Sequence, residues 1–232
     1  MKNISEFNNH QYLIESLSFY KREFREYSEK INNVERESYS DVKNFLELLK
    51  SNSWSIPLNF EPMTLVQMRS YSKMSAYKLN EMFLEFFKKD DYRELIDVIN
   101  IIIKEVPKEF KNQVIRMKKI IEQDISDYVV IVPALFALLD NIVSTKFELK
   151  NYTKKAEIAK ILDKKYRINT NKKINILIDI SILEQVEKYF KPTGSKKSFN
   201  RHCILHGTFT PDKYYIDDFI KLINLIDGVL AL

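Results

Sequence analysis

The sequence has little of the covalent support and the turn punctuation that many small folds use. Its 232 residues include one cysteine, three glycines and six prolines. One cysteine cannot form an internal disulfide, and no metal-type cysteine spacing is present. An all-β protein needs many turns, and turns are rich in glycine and proline. Because the sequence has so few of both, we expect helices. Because no signal-peptide pattern is found, we expect a reduced, cytoplasmic protein.

Long hydrophobic runs and cofactor motifs are also missing. The longest apolar run, Val129 to Leu139, has eleven residues with a proline inside. Because a membrane-spanning helix needs about twenty apolar residues, we expect a buried core helix and no membrane partner. The sequence has no glycine-rich phosphate loop, Walker sequence or dinucleotide fingerprint. We therefore expect no cofactor.

The positive charge is concentrated in one window of the chain. The formal net charge is +5. Residues 150–201 contain fourteen Lys or Arg against five Asp or Glu, so the rest of the chain is net negative. Such a window indicates an anionic partner, and nucleic acid is favoured over a membrane surface. The alternative is that these lysines form a solvated helix face without a partner. The window ends at Arg201, beside two of the three histidines.

Those two histidines and the only cysteine lie within Arg201–Gly207. Arginine is a permanent forked cation that matches phosphate oxygens, and histidine changes protonation state near neutral pH. Together these residue types suit phosphodiester cleavage. The segment is also typical of a helix C-terminus, with Gly207 in a left-handed turn and His206 at the negative end of the helix.

Helical geometry divides the polar side chains of this motif into two sets. His202 and His206 are four residues apart and share a helix face, where they could bind a divalent metal. Zinc needs at least a third protein ligand, and none is obviously placed in the motif, so no metal site is predicted. Arg201 and His206 are five residues apart, about 140° around the axis, and do not share a face. A shared site needs the helix to end near Gly207, or two copies of the chain to meet. Cys203 is expected to be a small buried hydrophobe.

The positions of Arg201, His202 and His206, followed by one last amphipathic helix, resemble the Arg-x4-6-His signature of the HEPN superfamily. Two further segments are similar to elements of large bacterial HEPN-type proteins. Tyr128–Asp140 resembles the apolar helix that opens the bundle and ends in an acidic residue. Trp54–Pro57 resembles a Trp-x-Ile-Pro element of their N-terminal halves.

This resemblance covers residues 127–232 and implies an all-α fold. A C-terminal HEPN-like four-helix bundle over 127–232 would follow an N-terminal helical region over 1–126. The resemblance also implies a homodimer through the C-terminal bundle, in which two motifs meet. Thr208 stands where the antitoxin-paired branch of the superfamily has a tyrosine, which argues against that branch.

The chemistry implied by the resemblance is metal-independent cleavage of RNA. The protein would be an endoribonuclease acting on cellular or phage RNA in a defence or toxin setting, with an antitoxin or sensor protein as a further partner. His206 would remove the ribose 2′-hydroxyl proton or protonate the leaving 5′-oxygen. Arg201 would hold the scissile phosphate and His202 would orient it or orient Arg201. The product would end in a 2′,3′-cyclic phosphate.

Binding of the RNA backbone without sequence preference is expected from Lys172, Lys173, Lys196 and Lys197. Two other interpretations stay open. The chain could be a non-catalytic helical module that binds RNA, a nucleotide or a protein. It could also be a structural helical adaptor in which His206 is only a helix cap.

Apolar spacing predicts the helices around the motif. A heptad stripe marks a long first helix, which either packs on the chain's own later helices or forms a dimer. Further stripes predict helices later in the chain, with an irregular crossing between two of them. The first stripe spans Leu13–Val34, and the crossing is Trp54–Pro62. The later helices begin near Val42, at Thr64 (a single helix to about Lys88), at Leu95 and at Phe110.

Three local features are predicted less directly. Ile174–Ile182 alternates like a strand, but its apolar residues also follow helical spacing as far as Tyr189, so a helix is predicted. Ser198 is the predicted N-cap of the motif helix. Thr210 and Pro211 are the predicted N-cap and first residue of the last helix.

Overall fold

The computed structural model describes residues 36–57, 64–149, 155–167, 174–191 and 198–232. These residues form helices and no strand, so the predicted all-α fold is confirmed. The Leu13–Val34 stripe lies outside them. The helices are α1 (Arg36–Ser51), α2 (Leu65–Tyr71), α3 (Ala76–Glu105), α4 (Lys108–Gln123), α5 (Tyr128–Lys146), α6 (Lys155–Ile161), α7 (Ile174–Phe190), α8 (Arg201–Leu205) and α9 (Ile216–Ala231).

Helix α1 and the crossing after it are as the apolar spacing predicts. Val42, Phe45 and Leu49 are fully buried on one face of α1. After α1 the chain is irregular from Trp54 to Pro57, and the rest of the predicted crossing lies outside the described residues. The Trp54 indole stacks on the Phe87 ring at 5.7 Å between centroids, which fixes the crossing against α3.

The single helix predicted from Thr64 to Lys88 is wrong, because the chain breaks between α2 and α3. Thr64 and Gln67 form a capping box at the start of α2. Ser75 then accepts a hydrogen bond from the Lys78 amide and starts α3 anew. Serine favours such caps because its hydroxyl satisfies an amide that the first turn leaves unpaired. A kink at Lys89–Tyr92 divides α3 where one predicted apolar stripe ends and the next begins.

Helix α5 is the apolar helix of the core. By length and composition alone, Ile125–Lys146 is apolar enough to cross a membrane. In this fold eight side chains of α5 are buried against other helices. At its end, the Lys146 ammonium donates hydrogen bonds to the carbonyls of Val229 (3.1 Å) and Leu230 (2.8 Å), which caps the C-terminus of α9.

The two remaining ambiguous segments resolve as follows. Ile174–Phe190 is helical, as predicted, and Ile178, Ile182 and Val186 are buried on its inner face. The last helix does not start at Pro211: Pro211–Lys213 is a short 3-10 turn with Thr210 as its N-cap, and α9 begins at Ile216.

Helix α9 is the centre of the fold, packed against α3, α5 and α7. All residues from Phe219 to Val229 except Lys221 are buried. Gly228 lets the Trp54–Pro57 segment pass close to α9, since a Cβ atom there would lie 2.5 Å from the Ser55 hydroxyl. Residues from both sides of position 126 share one hydrophobic core, and the domain boundary near residue 126 stays a prediction.

Candidate functional site

The Arg-His motif lies on the five-residue helix α8. The Asn200 side chain caps this helix by accepting a hydrogen bond of 2.8 Å from the Cys203 amide. The prediction that Ser198 is the cap is therefore wrong, and the Ser198 hydroxyl instead accepts a hydrogen bond from the Asn200 amide group. Asn200 precedes the helix directly, which is the position where a short polar side chain reaches the free amides of the first turn.

The helix ends where the sequence predicts. His206 is its C-cap, and Gly207 has φ +66°, the left-handed conformation that glycine adopts without strain. The chain then turns back, and the Thr208 and Phe209 amides both donate to the Cys203 carbonyl. Because α8 stops at Leu205, the His206 side chain lies at a helix-to-turn junction.

A cluster of aromatic rings fixes this short helix on the core. Phe199, just before α8, contacts the rings of Phe136, Tyr189 and Tyr214 at 5.5–6.3 Å between centroids. Cys203 is buried, as expected of a small hydrophobe. A five-residue helix is marginal by itself, so these contacts give α8 its stability.

The tyrosines around α8 are structural groups. Burial raises the pKa of the Tyr128 and Tyr214 hydroxyls, and burial raises the pKa of Tyr189 still further. The Tyr128 hydroxyl donates a 2.6 Å hydrogen bond to the Tyr214 carbonyl. The Tyr214 hydroxyl donates to the Phe209 carbonyl at 3.3 Å. These phenols hold the turn after α8 as neutral donors.

Arg201 points from α8 towards α5. Its Nη2 atom donates a 2.7 Å hydrogen bond to Asp140 Oδ2, and its guanidinium carbon lies 5.2 Å from the centre of the Phe190 ring. The Arg201 and Asp140 side chains are 20% and 13% exposed, so the pair is largely shielded from water. Asp140 is the acidic residue that ends the Tyr128–Asp140 motif, so the fold joins two parts of the chain that the sequence singled out.

The two histidines point elsewhere. His202 and His206 are both exposed, and their ring centroids are 4.6 Å apart. They share a face of α8, as the four-residue spacing predicts. Arg201 reaches inward to Asp140 while both imidazoles face solvent, which agrees with the predicted separation around the helix. Two adjacent imidazoles can accept and donate protons at one exposed place.

Two further sequence predictions concern the RNA-binding lysines and a metal site. Lys172, Lys173, Lys196 and Lys197 all lie outside the described residues, so their RNA contacts stay predictions. Among the residues that the structure describes, no three His, Cys, Asp or Glu side chains come together in a group that could hold a metal ion.

The sequence reasoning missed a cleft beside the motif. An open cleft of about 670 Å³ lies between the outer face of α5 and the exposed side chain of Leu205. It adjoins the Arg201 pair, because Asp140 is one of its walls. A polar stripe at helical spacing on the otherwise apolar α5 was the available signal. The lining residues are Ala137, Asp140, Asn141, Ser144, Thr145, Glu148, Leu149 and Leu205.

Comparison with known proteins adds no assignment: no protein family, curated protein or solved structure matches this chain.

Proposed function

We propose that this protein is a metal-independent endoribonuclease of the HEPN type, acting on cellular or phage RNA in a defence or toxin setting in the cytoplasm. The observation that carries the proposal is the arrangement on α8. Two exposed imidazoles lie 4.6 Å apart on the helix whose first residue is an arginine anchored to a carboxylate. Arginine for the phosphate and histidine for proton transfer are the groups that RNA transesterification needs.

The reaction proceeds by attack of the ribose 2′-oxygen on the adjacent phosphorus. As the O2′–P bond forms and the P–O5′ bond breaks, His206 takes the 2′-hydroxyl proton while water protonates the leaving 5′-oxygen, or protonated His206 gives the 5′-oxygen its proton while water accepts the 2′-hydroxyl proton. Arg201 donates hydrogen bonds to the phosphate oxygens, on which negative charge accumulates. His202, beside His206, orients the phosphate. The products carry a 2′,3′-cyclic phosphate and a 5′-hydroxyl.

Asp140 is the positioning residue of this site. Its carboxylate accepts a 2.7 Å hydrogen bond from Arg201 Nη2, which fixes the direction of the guanidinium. The Phe190 ring under the guanidinium restricts its movement further. An arginine held in this way binds a phosphate with less loss of conformational entropy.

The working unit is a homodimer through the C-terminal region. Within one chain Arg201 points to α5 whereas the two imidazoles point to solvent, so the arginine and the histidines do not face the same place. In the dimer, the exposed motif of the second copy completes the site. Two copies related by a two-fold axis place equivalent motifs opposite each other, because such an interface uses the same surface twice. RNA then crosses both motifs, and the proposed lysine contacts at Lys172, Lys173, Lys196 and Lys197 follow its backbone.

The test is cleavage of mixed RNA in EDTA by the wild type and two variants. Wild type is expected to cleave, and Arg201→Ala and His206→Ala are expected to lose at least about 100-fold in rate. His10→Ala removes the only histidine outside the motif and serves as the control that retains wild-type activity. Equal cleavage by wild type and His206→Ala rejects the proposal.

A non-catalytic RNA- or protein-binding module is the second candidate. The Arg201–Asp140 pair favours it, since the arginine already has a protein partner, and Gly207 at φ +66° gives His206 a capping position. This function predicts RNA binding without cleavage, and binding that His206→Ala leaves intact. Fluorescence anisotropy with labelled RNA measures that difference.

A further inference from the structure

The cleft beside α8 has the chemistry of a nucleobase site. Ala137, Leu149 and Leu205 give it apolar surface. The Asn141 amide and the hydroxyls of Ser144 and Thr145 add hydrogen-bonding groups. Sites for planar heterocycles combine apolar contact with a few placed polar groups in this way.

The charges of the cleft disfavour phosphate. Among the described residues that line it, none is Lys, Arg or His. The Asp140 carboxylate is paired with Arg201, and the Glu148 side chain is an exposed carboxylate at the end of the cleft. A phosphate there would meet negative charge, whereas a neutral base with N–H groups would find acceptors.

Glu148 has an unusual backbone for its residue type. Its φ is +54°, in the left-handed region just after α5, where the Leu149 amide closes the turn on the Ser144 carbonyl at 2.8 Å. Glycine adopts this conformation without strain, as Gly207 does after α8. A glutamate at such a helix end therefore retains a side chain at the expense of stability, and that side chain lines the cleft.

We propose that the cleft binds the guanine base of the nucleotide next to the scissile phosphate, with Glu148 as its specificity residue. The inference rests on the proposed nuclease function and names the RNA sequence it prefers. Guanine carries adjacent N1–H and N2–H donors, which a carboxylate accepts together. The side-chain amide nitrogen of Asn141, whose Oδ1 accepts a hydrogen bond of 3.3 Å from the Thr145 hydroxyl, offers donors to its O6 and N7 acceptors.

The experiment uses three oligouridines that differ at one central nucleotide: guanosine, inosine or adenosine. Inosine lacks only the N2 amino group of guanosine, so it removes one of the two donors to Glu148. Cleavage rates and cleavage positions are measured for wild type, Glu148→Gln and Glu148→Gly. Glu81→Gln changes an exposed glutamate of α3 and is the matched control. Binding of all-2′-deoxy versions, which cannot be cleaved, is measured separately by anisotropy.

Wild type is expected to cleave beside guanosine about 10- to 100-fold faster than at uridine or adenosine, with inosine between them. Both Glu148 variants lose this preference, and Glu81→Gln retains it. Glu148→Gly loses the preference while its melting temperature rises, because glycine relieves the left-handed backbone. A loss of preference caused by misfolding would lower that temperature.

The outcomes separate this inference from the nuclease function. Cleavage at equal rates beside all bases overturns the guanine site and leaves the nuclease intact. Guanosine-selective binding that depends on Glu148, without cleavage, supports the guanine site and overturns the nuclease. Neither binding preference nor cleavage overturns both.

Discussion

Arg201 on α8 and Asp140 on α5 are 61 residues apart in sequence and are joined by a 2.7 Å hydrogen bond. The carboxylate fixes the direction of the guanidinium, and the pair also ties the motif helix to the core. The proposed chemistry therefore depends on a residue that does not touch the reacting phosphate.

Replacing Asp140 with Asn removes the charge and keeps the shape. We expect the cleavage rate to fall about 10- to 100-fold, since a displaced arginine no longer matches the phosphate. The free energy of unfolding should fall by about 1–3 kcal/mol because a charge-assisted hydrogen bond is lost. Single-turnover cleavage and urea denaturation measure the two effects.

The control for this variant is Glu184→Gln, which breaks the 2.7 Å Lys50–Glu184 ion pair away from the motif. It should leave the cleavage rate unchanged. Asp140→Glu, which retains a carboxylate, should recover part of the activity. If both ion-pair variants reduced cleavage equally, Asp140 would have only a structural role.

The proposed dimer predicts complementation between inactive chains. Arg201→Ala and His206→Ala subunits, mixed and re-formed as dimers, should regain about a quarter of wild-type activity, because half of the dimers then carry one intact composite site. The measurement is RNA cleavage before and after subunit exchange. The control is a chain that carries both Arg201→Ala and His206→Ala, mixed with wild type at the same ratio. Persistent inactivity of the verified mixed dimer would mean that each chain uses its own arginine and histidine.

The contact between Gly228 and Ser55 predicts a stability effect away from the motif. Gly228→Ala places a methyl group 2.5 Å from the Ser55 hydroxyl, so the free energy of unfolding should fall by about 1–3 kcal/mol. Ser55→Ala in the same chain removes that hydroxyl and should restore most of the loss. Its Cβ would be 3.6 Å away, an ordinary contact. Urea denaturation of the two single variants and the double variant gives the coupling. Additive losses would show that the two positions do not touch.

The partly buried Glu94 and the buried Asp97 on α3 predict a pH effect on stability. Burial, and then the nearby Asp97 carboxylate, raise the pKa of Glu94. The folded state therefore binds a proton at Glu94 at a higher pH than the unfolded state does, and stability falls as the pH rises between the two pKa values. Glu94→Gln should raise the free energy of unfolding at pH 7. The gain should shrink as the pH falls through the raised pKa of Glu94 and vanish below about pH 4.

Denaturant unfolding at pH 7 and pH 3.5 measures this difference. Glu85→Gln, at an exposed position of the same helix, is the comparison. A gain in stability of Glu94→Gln that persists unchanged at pH 3.5 would point to helix propensity instead of charge.

The helices that bury one regular face could be predicted from the sequence. The stripe of Val42, Phe45 and Leu49 fixes α1, because burying that face requires helical spacing. The alternating isoleucines at the start of Ile174–Phe190 fit a strand as well as a helix. The length of the apolar pattern favours the helix, because a pattern that continues to Tyr189 is longer than an ordinary strand.

Local capping and long-range contacts could not be predicted in the same way. Ser198 and Asn200 are both good caps, and only the three-dimensional path shows that Asn200 reaches the Cys203 amide. The break between α2 and α3 depends on Ser75, which caps the first turn of α3, and not on the spacing of apolar residues. The Arg201–Asp140 pair arises from helix packing between distant segments, which no local pattern encodes. The polar stripe of α5 signals one wall of the cleft, but the position of Leu205 opposite it depends on the same long-range packing.

The most direct measurement of the central claim is the chemistry of the RNA ends. Mixed RNA is incubated with wild-type protein in excess EDTA, and the fragments are analysed by mass spectrometry. Metal-independent transesterification through His206 and Arg201 predicts 2′,3′-cyclic phosphate and 5′-hydroxyl ends, absent with His206→Ala. Fragments with 3′-hydroxyl and 5′-phosphate ends, or identical fragments from His206→Ala, would contradict it.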